Sequence, residues 1–198
     1  MIAINDNLVV FQTDRLTVQR ATVADAEMFY ALWTDPVVMR TVGFPNGLPI
    51  TRQEIDEKLQ KQGEGVYGRL LVVVLRATGE RIGECFMTKP NVAGIAETDV
   101  KLLPAHWGNK YGVEIKRGLL HYLFTHTACS CVQATPNIHN IASIKMQEAV
   151  GGIRAGTGKS LIPQAAGEKS VTVEYIIYRV YRRIWQKAQR QAEQPTVK

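Results

Sequence analysis

The sequence predicts a mixed α/β (α+β) fold, a mostly antiparallel central sheet flanked by helices. Three observations lead there. Strand-like runs follow one another at residues 69–77, 81–88 and 95–103. Thr78-Gly79 forms a hairpin turn between the first two, which demands antiparallel pairing. Single helical segments separate the later strands, which allows parallel crossovers. The expected order, β-α-α-β-β-β-α-β-α-β, therefore gives a mixed sheet.

Taken in order, residues 1–12 read as a short lead-in. Residues 15–20 alternate, with Leu16 and Val18 on one face, as a half-buried strand does. Thr22 opens a helix to Asp35, with Ala26, Phe29, Tyr30 and Trp33 at helical spacing. Pro36 disfavours helical geometry at Asp35 and breaks it there. Residues 42–50 hold two prolines and two glycines, so they form a loop. Thr51 and Glu54 form a capping box that starts a second helix, which runs to about Gln62 and ends at Gly63, Gly65 and Gly68. The three strands follow, the last stopped by Pro104. The longest helix spans residues 108–127, with Ile115, Leu119, Tyr122 and Leu123 on its apolar stripe. Residues 131–134 make a short strand. A helix over 140–150 ends at Gly151-Gly152. Residues 171–180 form a β-branched and aromatic strand, a basic helix or tail follows it, and the region near Ser160 accommodates one more strand.

At 198 residues the chain is bounded to one domain, or at most two small ones. The expected organisation is one domain over residues 1–185 and a basic tail over 186–198. Apolar residues make up 45% and charged residues 21%, which excludes a disordered chain or a collagen-like fibre. The longest aliphatic run, Leu70 to Leu75, is far short of the roughly 20 residues of a membrane span, so no membrane partner is expected. The start carries Asp6 and no basic cluster, unlike a secretory signal. Three cysteines, Cys85, Cys129 and Cys131, show no framework spacing, so a cytoplasmic location is expected. The net charge of +6 is concentrated: residues 179–198 hold six basic side chains against Glu193 alone. Such a tail suits an anionic partner, or is simply a solvated terminal helix.

Three signals are set aside. Gly158-Lys159-Ser160 resembles the end of a nucleotide phosphate loop, but the glycine required five residues earlier is Ile153. Cys129 and Cys131, with His121 and His126 nearby, lack the second ligand pair of a structural zinc site, so no metal is expected. The four histidines show no metalloprotease or triad spacing.

The informative segment is residues 96–114. A strand carries Glu97 and Asp99 on one face, runs to Pro104, and turns through Trp107-Gly108 into a helix. The first turn of that helix holds Asn109, Lys110 and Gly112. Free amides at a helix N-terminus bind anions, and glycines let a phosphate approach the backbone. The residues alone predict a phosphate or pyrophosphate site facing an acidic strand, or an ordinary strand–loop–helix connection.

A second element is the run Asn137-Ile138-His139-Asn140-Ile141-Ala142-Ser143. With it, the chain resembles the GNAT superfamily of acetyl-CoA-dependent N-acetyltransferases, and most closely its RimJ/RimL branch. The resemblance rests on Ala96-Glu97, Pro104, Trp107-Gly108, Tyr111, Glu114, Asn137, Asn140, Ala142-Ser143, Glu148, Gly151 and Trp185, together with the opening Thr13-Asp14-Arg15-Leu16 and the stretch from Trp33 to Met39. Each motif is weak alone; their order and spacing are specific. Two positions depart from the pattern. The central glycine of the phosphate loop is Lys110 here, and the usual Gly-Phe pair is Gly151-Gly152. Lys110 either crowds a pyrophosphate or pairs with it.

The resemblance implies a GNAT-like fold and direct transfer of acetyl from acetyl-CoA to an amine, either a protein N-terminus, as on a ribosomal protein, or a small-molecule amine. It places pantetheine along Lys101, Leu102 and Leu103 and pyrophosphate over Trp107, Gly108, Asn109, Lys110, Tyr111 and Gly112. Asn140 would hold the pantetheine arm, with Ser143 near the sulfur and Asn137 a further cofactor-binding residue. An amine with a pKa of about 10.4 must lose a proton, and a thiolate must gain one. Glu97 is the expected base and Ser143 the expected donor to the thiolate. Phe44, Glu84 and Asp99 are expected at the acceptor site, with Asp99 and Glu84 as reserve bases. Two other readings stand beside the enzyme: a non-catalytic acyl-CoA-binding protein, and an RNA- or ribosome-binding module working through the basic tail. Long apolar strands near the C-terminus permit a homodimer.

Overall fold

The computed structural model describes residues 6–164 and 169–193. Its strands are β1 (Val9–Gln12), β2 (Leu16–Arg20), β3 (Leu71–Leu75), β4 (Arg81–Met87), β5 (Ile95–Leu102), β6 (Cys131–Ala134), β7 (Ile153–Ile162) and β8 (Val171–Tyr181). Its helices are α1 (Ala26–Thr34), α2 (Pro36–Met39), α3 (Arg52–Gln60), α4 (Tyr111–His126), α5 (Ile141–Ala149) and α6 (Arg182–Glu193). The strands form one sheet in the order β1-β2-β3-β4-β5-β6-β8-β7. Every neighbouring pair is antiparallel except β5 and β6, which the α4 crossover makes parallel.

Side chains alternate across the sheet and build a core on each face. On one face Leu16, Val18, Leu71, Val73, Cys85 and Met87 pack under Ile115, Leu119, Leu120 and Leu123 of α4. On the other, Val72 and Val74 pack under Phe29, Leu32 and Trp33 of α1 and Ile55 and Leu59 of α3. β3 is covered on both faces, which explains its unbroken apolar run. Each fully buried side chain of this kind contributes about 1.5–3 kcal/mol. Among the described residues no helix is long and apolar enough to cross a membrane.

Several expectations change in detail. Residues 9–12 are an edge strand, not a lead-in. A bulge in the pairing, Val9 to Gln19 and then Phe11 to Val18, hides the two-residue period. α1 begins only at Ala26, after a 3-10 turn over Val23–Asp25. Pro36 not only ends α1 but opens α2, where Asp35 accepts from the Val37 N–H. β7 is ten residues long and contains Gly156 to Ser160 in register with β8, so that segment is strand. Of the tail, residues 194–198, with Lys198, lie outside the described residues.

The feature that positions the site is a fork. β5 pairs with β6 only through Ile95, Ala96 and Glu97, opposite Cys131, Val132 and Gln133. Beyond Glu97, β5 continues to Leu102 bonded to β4 alone. β6 instead follows β8: the Pro136 carbonyl accepts from the Ile176 N–H at 2.9 Å, and Asn137 bridges to Tyr175. The two strands therefore diverge and the sheet opens between them.

α4 spans this fork and is tied at both ends. Glu114, in its first turn, accepts from Thr13 Oγ1 at 2.6 Å, the Arg15 N–H at 2.9 Å and Arg15 Nε at 2.7 Å. The Thr13-Asp14-Arg15-Leu16 motif is thus the turn that α4 clamps. At the other end the Arg182 guanidinium donates to the carbonyls of Phe124, Thr127 and Cys129. A cation there also complements the helix dipole. Arg179 likewise turns inward, its Nε donating to Gln133 Oε1 at 3.0 Å. Two of the tail's basic residues are therefore used inside the fold. Tyr178 donates to Glu148 at 2.9 Å, and the Trp185 ring lies 6.3 Å from that of Phe124.

The Glu114 clamp gives a pH-dependent prediction. Desolvation pushes its carboxyl up, but the hydrogen bonds from Thr13 and Arg15 and the Arg15 charge hold it below its ordinary 4.5. A depressed folded pKa means stability that is present above 4.5 and lost as pH falls through the folded value. Glu114→Gln should cost about 1–2 kcal/mol at pH 7, a figure reduced because solvent reaches Arg15. Denaturant titrations of both proteins should converge as the pH falls well below 4.5.

Candidate functional site

The fork encloses a cavity of about 240 Å³. Its walls include Glu97, Thr98 and Asp99 of β5, Phe86 of β4, Lys116 of α4 and Ser143 of α5. The period of β5 distributes these groups. Thr98 is buried toward α4, while Glu97 and Asp99 are exposed on the α1 side, as the sequence pattern implied. Because the strands have parted, groups from both sides of the sheet reach one cavity.

Glu97 is held at the point where the fork opens. Its Oε1 accepts from Gln133 Nε2 at 3.1 Å, and Gln133 Oε1 in turn accepts from Arg179. Its backbone N–H donates to Thr88 Oγ1 at 2.9 Å. Asp99 is ion-paired with Lys101, which also donates to Glu84 Oε1 at 2.9 Å. Trp33 Nε1 donates to the same Glu84 oxygen at 3.0 Å. Glu84 is only 4% exposed, so these two donors satisfy an otherwise buried charge. Desolvation acts to raise the Asp99 carboxyl, but the Lys101 charge holds it below its ordinary range. Desolvation acts to lower Lys101, and Asp99 and Glu84 overcome it, so this lysine is held charged.

The remaining expected residues fall into two groups. Leu102 and Leu103 pack into opposite cores, and the Leu102 carbonyl accepts from Trp107 Nε1 at 2.8 Å. Asn109 Nδ2 donates to the carbonyls of His106 and Trp107, which closes the turn. Gly108 and Lys110 both adopt left-handed backbone, at φ +80° and +63°. α4 therefore begins at Tyr111 rather than at Gly108, and no side chain caps it. Its first N–H groups are left to water or a ligand. A Cβ on Gly108 would meet nothing within 4 Å, whereas one on Gly112 would lie 3.1 Å from Met146 Sδ. Gly108 thus leaves space outside the loop, and Gly112 lets α4 approach α5. Tyr111 lies under the Arg15 guanidinium, 4.5 Å from the ring centroid.

α5 is built differently. Asn140 caps it, accepting from the Ser143 N–H at 3.0 Å, and Asn140 Nδ2 donates to Thr41 Oγ1 at 3.1 Å. Asn137 accepts from the His139 N–H at 2.8 Å. Both asparagines shape the loop that carries Ser143 to the cavity. Phe44 packs against the α1–α3 core, half-buried. Among the described residues no group of His, Cys, Asp and Glu is placed to hold a metal ion.

Three participants were not singled out from the sequence: Gln133 and Arg179, which orient Glu97, and Lys116. Lys116 is 1% exposed, and its Nζ donates to Thr98 Oγ1. Burial lowers its amine to about 7, against the opposing pull of Asp99 and Cys131. Its signal was present, a lysine set within the apolar arc of Ile115, Leu119 and Leu120.

Comparison with known proteins fits this geometry. Residues 15–153 match a family model described as an acetyltransferase (GNAT) domain. The chain is 29% identical over 150 residues to Uncharacterized N-acetyltransferase p20 of Bacillus licheniformis, covering 73% of this chain and 82% of that protein. Its fold is similar to that of a GNAT-family acetyltransferase from Bacillus anthracis, with a TM-score of 0.73 at 20% identity, covering 89% of this chain and 99% of the other. It is also similar to spermidine N-acetyltransferase from Vibrio cholerae, solved with CoA and spermine. The TM-score there is 0.71 at 16% identity, with 88% and 99% covered.

Left-handed backbone costs a side-chain-bearing residue about 1–2 kcal/mol relative to glycine. Part of that gain is returned through the greater entropy of an unfolded glycine. Lys110→Gly should therefore raise stability by about 1 kcal/mol, or roughly 2–4 °C in Tm for a chain of this size. Lys110→Ala, which removes the charge and keeps the strain, should leave Tm nearly unchanged in the same calorimetric scan.

Proposed function

The chain belongs to the GNAT acetyltransferase domain family, and from that premise we propose that it transfers acetyl from acetyl-CoA to a primary amine by direct attack. The observation that carries the reading is the open fork between β5 and β6 beside the uncapped N-terminus of α4. Pantetheine-like chains carry amides, and the β5 edge from Thr98 to Leu102, unpaired with β6, offers amide partners. The loop from Trp107 to Gly112 suits the pyrophosphate, with helix N–H groups and Lys110 as its counter-charges. Asn137 and Asn140 hold the arm of the cosubstrate by positioning the α5 loop, and Ser143 presents its hydroxyl to the sulfur side.

Glu97 is the base in this reading, taking the acceptor's proton directly or through water. Gln133 and Arg179 keep its carboxylate turned to the cavity. Glu84 and Asp99 pair with Lys101, and Glu97 adds a third carboxylate beside them on β5, which favours an approaching cation; Phe44 packs in the α1–α3 core on the same side of the sheet. The acceptor is then a cationic amine: a protein N-terminus, in the manner of the RimJ/RimL branch, or a small amine. The spermine held by the Vibrio cholerae structure is an example of the second kind. A ribosomal or other protein target would meet the basic residues Arg183, Lys187 and Arg190 of α6. Three free, buried thiols suit a cytoplasmic setting.

The test is calorimetry with acetyl-CoA, followed by thiol release against a panel of amines and N-terminal peptides. Binding in roughly the micromolar range with amine-dependent release is expected. Glu97→Gln should bind acetyl-CoA as well as wild type and release thiol about a hundredfold more slowly. Absence of acetyl-CoA binding overturns the reading, and an unchanged rate in Glu97→Gln removes Glu97 from it.

A further inference from the structure

Across the cavity from Glu97 stands a group that the scheme above leaves unused. Lys116 is buried on the α4 side of the fork and lines the same cavity as Glu97, Asp99 and Ser143. Its Nζ donates to the Thr98 hydroxyl, which is neutral. The nearby ion pairs join Lys101 to Glu84 and Asp99 and leave Lys116 out. Among the described residues it forms no ion pair. A buried ammonium without a counter-ion is costly, and a core helix position of this kind is ordinarily filled by an aliphatic residue. The cavity it lines therefore favours an anion beside Nζ. On the acetyl-transfer reading, on which this inference rests, one anion forms there during each turnover, the departing thiolate.

We propose that Lys116 is the acid that protonates the thiolate leaving group. The amine nitrogen forms the new C–N bond, the C–S bond breaks, and its electron pair stays on sulfur. The nitrogen's proton goes to Glu97 or its water, one proton passes from Lys116 Nζ to sulfur, and solvent restores it. Nζ touches Thr98 of β5; Asp99 and Cys131 act on it through their charge, and Glu97, Asp99 and Ser143 line the same cavity. Asp99 and Cys131 favour the ammonium, and desolvation outweighs them, leaving an amine near 7. An acid of that strength gives its proton downhill to a thiolate whose conjugate acid lies at about 8.5. A serine hydroxyl is a far weaker acid, so Ser143 serves as a relay or a hydrogen-bond donor to sulfur.

The experiment uses the full chain and the variants Lys116→Met and Lys116→Arg. Thiolate absorbance of bound CoA is followed against pH, together with kcat and KM across the same range. In wild type the bound thiol should ionise about 1 pH unit lower than in free CoA, still above the Lys116 amine, as beside a close cation. Lys116→Met should abolish that shift and lower kcat about a hundredfold at unchanged KM. It should also remove the fall of kcat on the alkaline side, where the acid is spent. Lys116→Arg should keep the lowered thiol ionisation and still lose turnover, since its guanidinium does not release a proton. The apo protein gives an independent readout. Wild-type stability should rise with pH between about 7 and 10.4, because only the unfolded chain holds the lysine proton there. Lys116→Met should lose that slope. An unshifted bound thiol in wild type, an intact alkaline limb in Lys116→Met, or acetylation of Lys116 itself found by mass spectrometry overturns the proposal. If wild type releases no thiol with any amine, the acetyl-transfer reading fails instead, while a shifted bound thiol would still place Lys116 beside the sulfur.

Discussion

The three-residue contact between β5 and β6 is the constraint on which the rest of the structure depends. A parallel pair that continued to Leu102 would close the sheet and leave no cavity. It stops because β6 has a stronger attachment on its other side. β8 pairs with all four residues of β6 and goes on to hold Pro136 and Asn137. Divergence leaves the β5 backbone from Thr98 onward without a partner strand on that side; Asp99 accepts the Val100 N–H and Trp107 donates to the Leu102 carbonyl, and the remaining groups require water or a ligand. The same departure lets side chains from both sheet faces meet in one space. The cavity and its mixed lining thus follow from a competition between two strand pairings.

An opened sheet needs a strut, and α4 supplies it. The helix is anchored at its first turn by Glu114 and at its last by Arg182, each holding several groups from distant segments. Glu114 points back to Thr13 and Arg15, so the first turn is fixed without a cap on its free N–H groups. A capping side chain would satisfy those donors and remove the positive end that suits an anion. α5 makes the opposite choice. Asn140 closes its N-terminus, and that helix serves to deliver Ser143 rather than to receive a charge.

Much of this was legible in the sequence, and the failures have physical causes. β2 to β6 and α3 to α5 announce themselves through alternation, capping boxes and glycine stops. β1 stayed hidden because a bulge disrupts its period. The sequence pattern starts α4 three residues early, since left-handed backbone at Lys110 is a property no lysine advertises. The acidic face of β5 was readable because a strand's period is two. The links from Glu97 to Gln133 and Arg179, and from Glu84 to Trp33 and Lys101, join residues tens of positions apart, and only the register of the folded sheet brings them together. The basic tail reads as one charge run in the sequence, but the fold spends Arg179 and Arg182 internally and carries Arg183, Lys187 and Arg190 along α6.

Lys116 illustrates how a local anomaly gains meaning from topology. Taken alone, a lysine within the apolar stripe of α4 is a liability, because the helix face it occupies packs on the sheet. At another place along the sheet it would meet only aliphatic side chains. It falls opposite Thr98, the first residue of β5 past the last β6 pairing, where the backbone of the strand begins to open. The two residues before it, Ala96 and Glu97, are still paired to β6; one residue later, the side chain turns to the other face. The register that puts Glu97 and Asp99 on the α1 side therefore puts Thr98 and its lysine partner on the α4 side. A carboxylate and an amine end up across one gap with no salt bridge between them. A closed sheet would insulate these groups from each other, and only the fork lets them line one cavity.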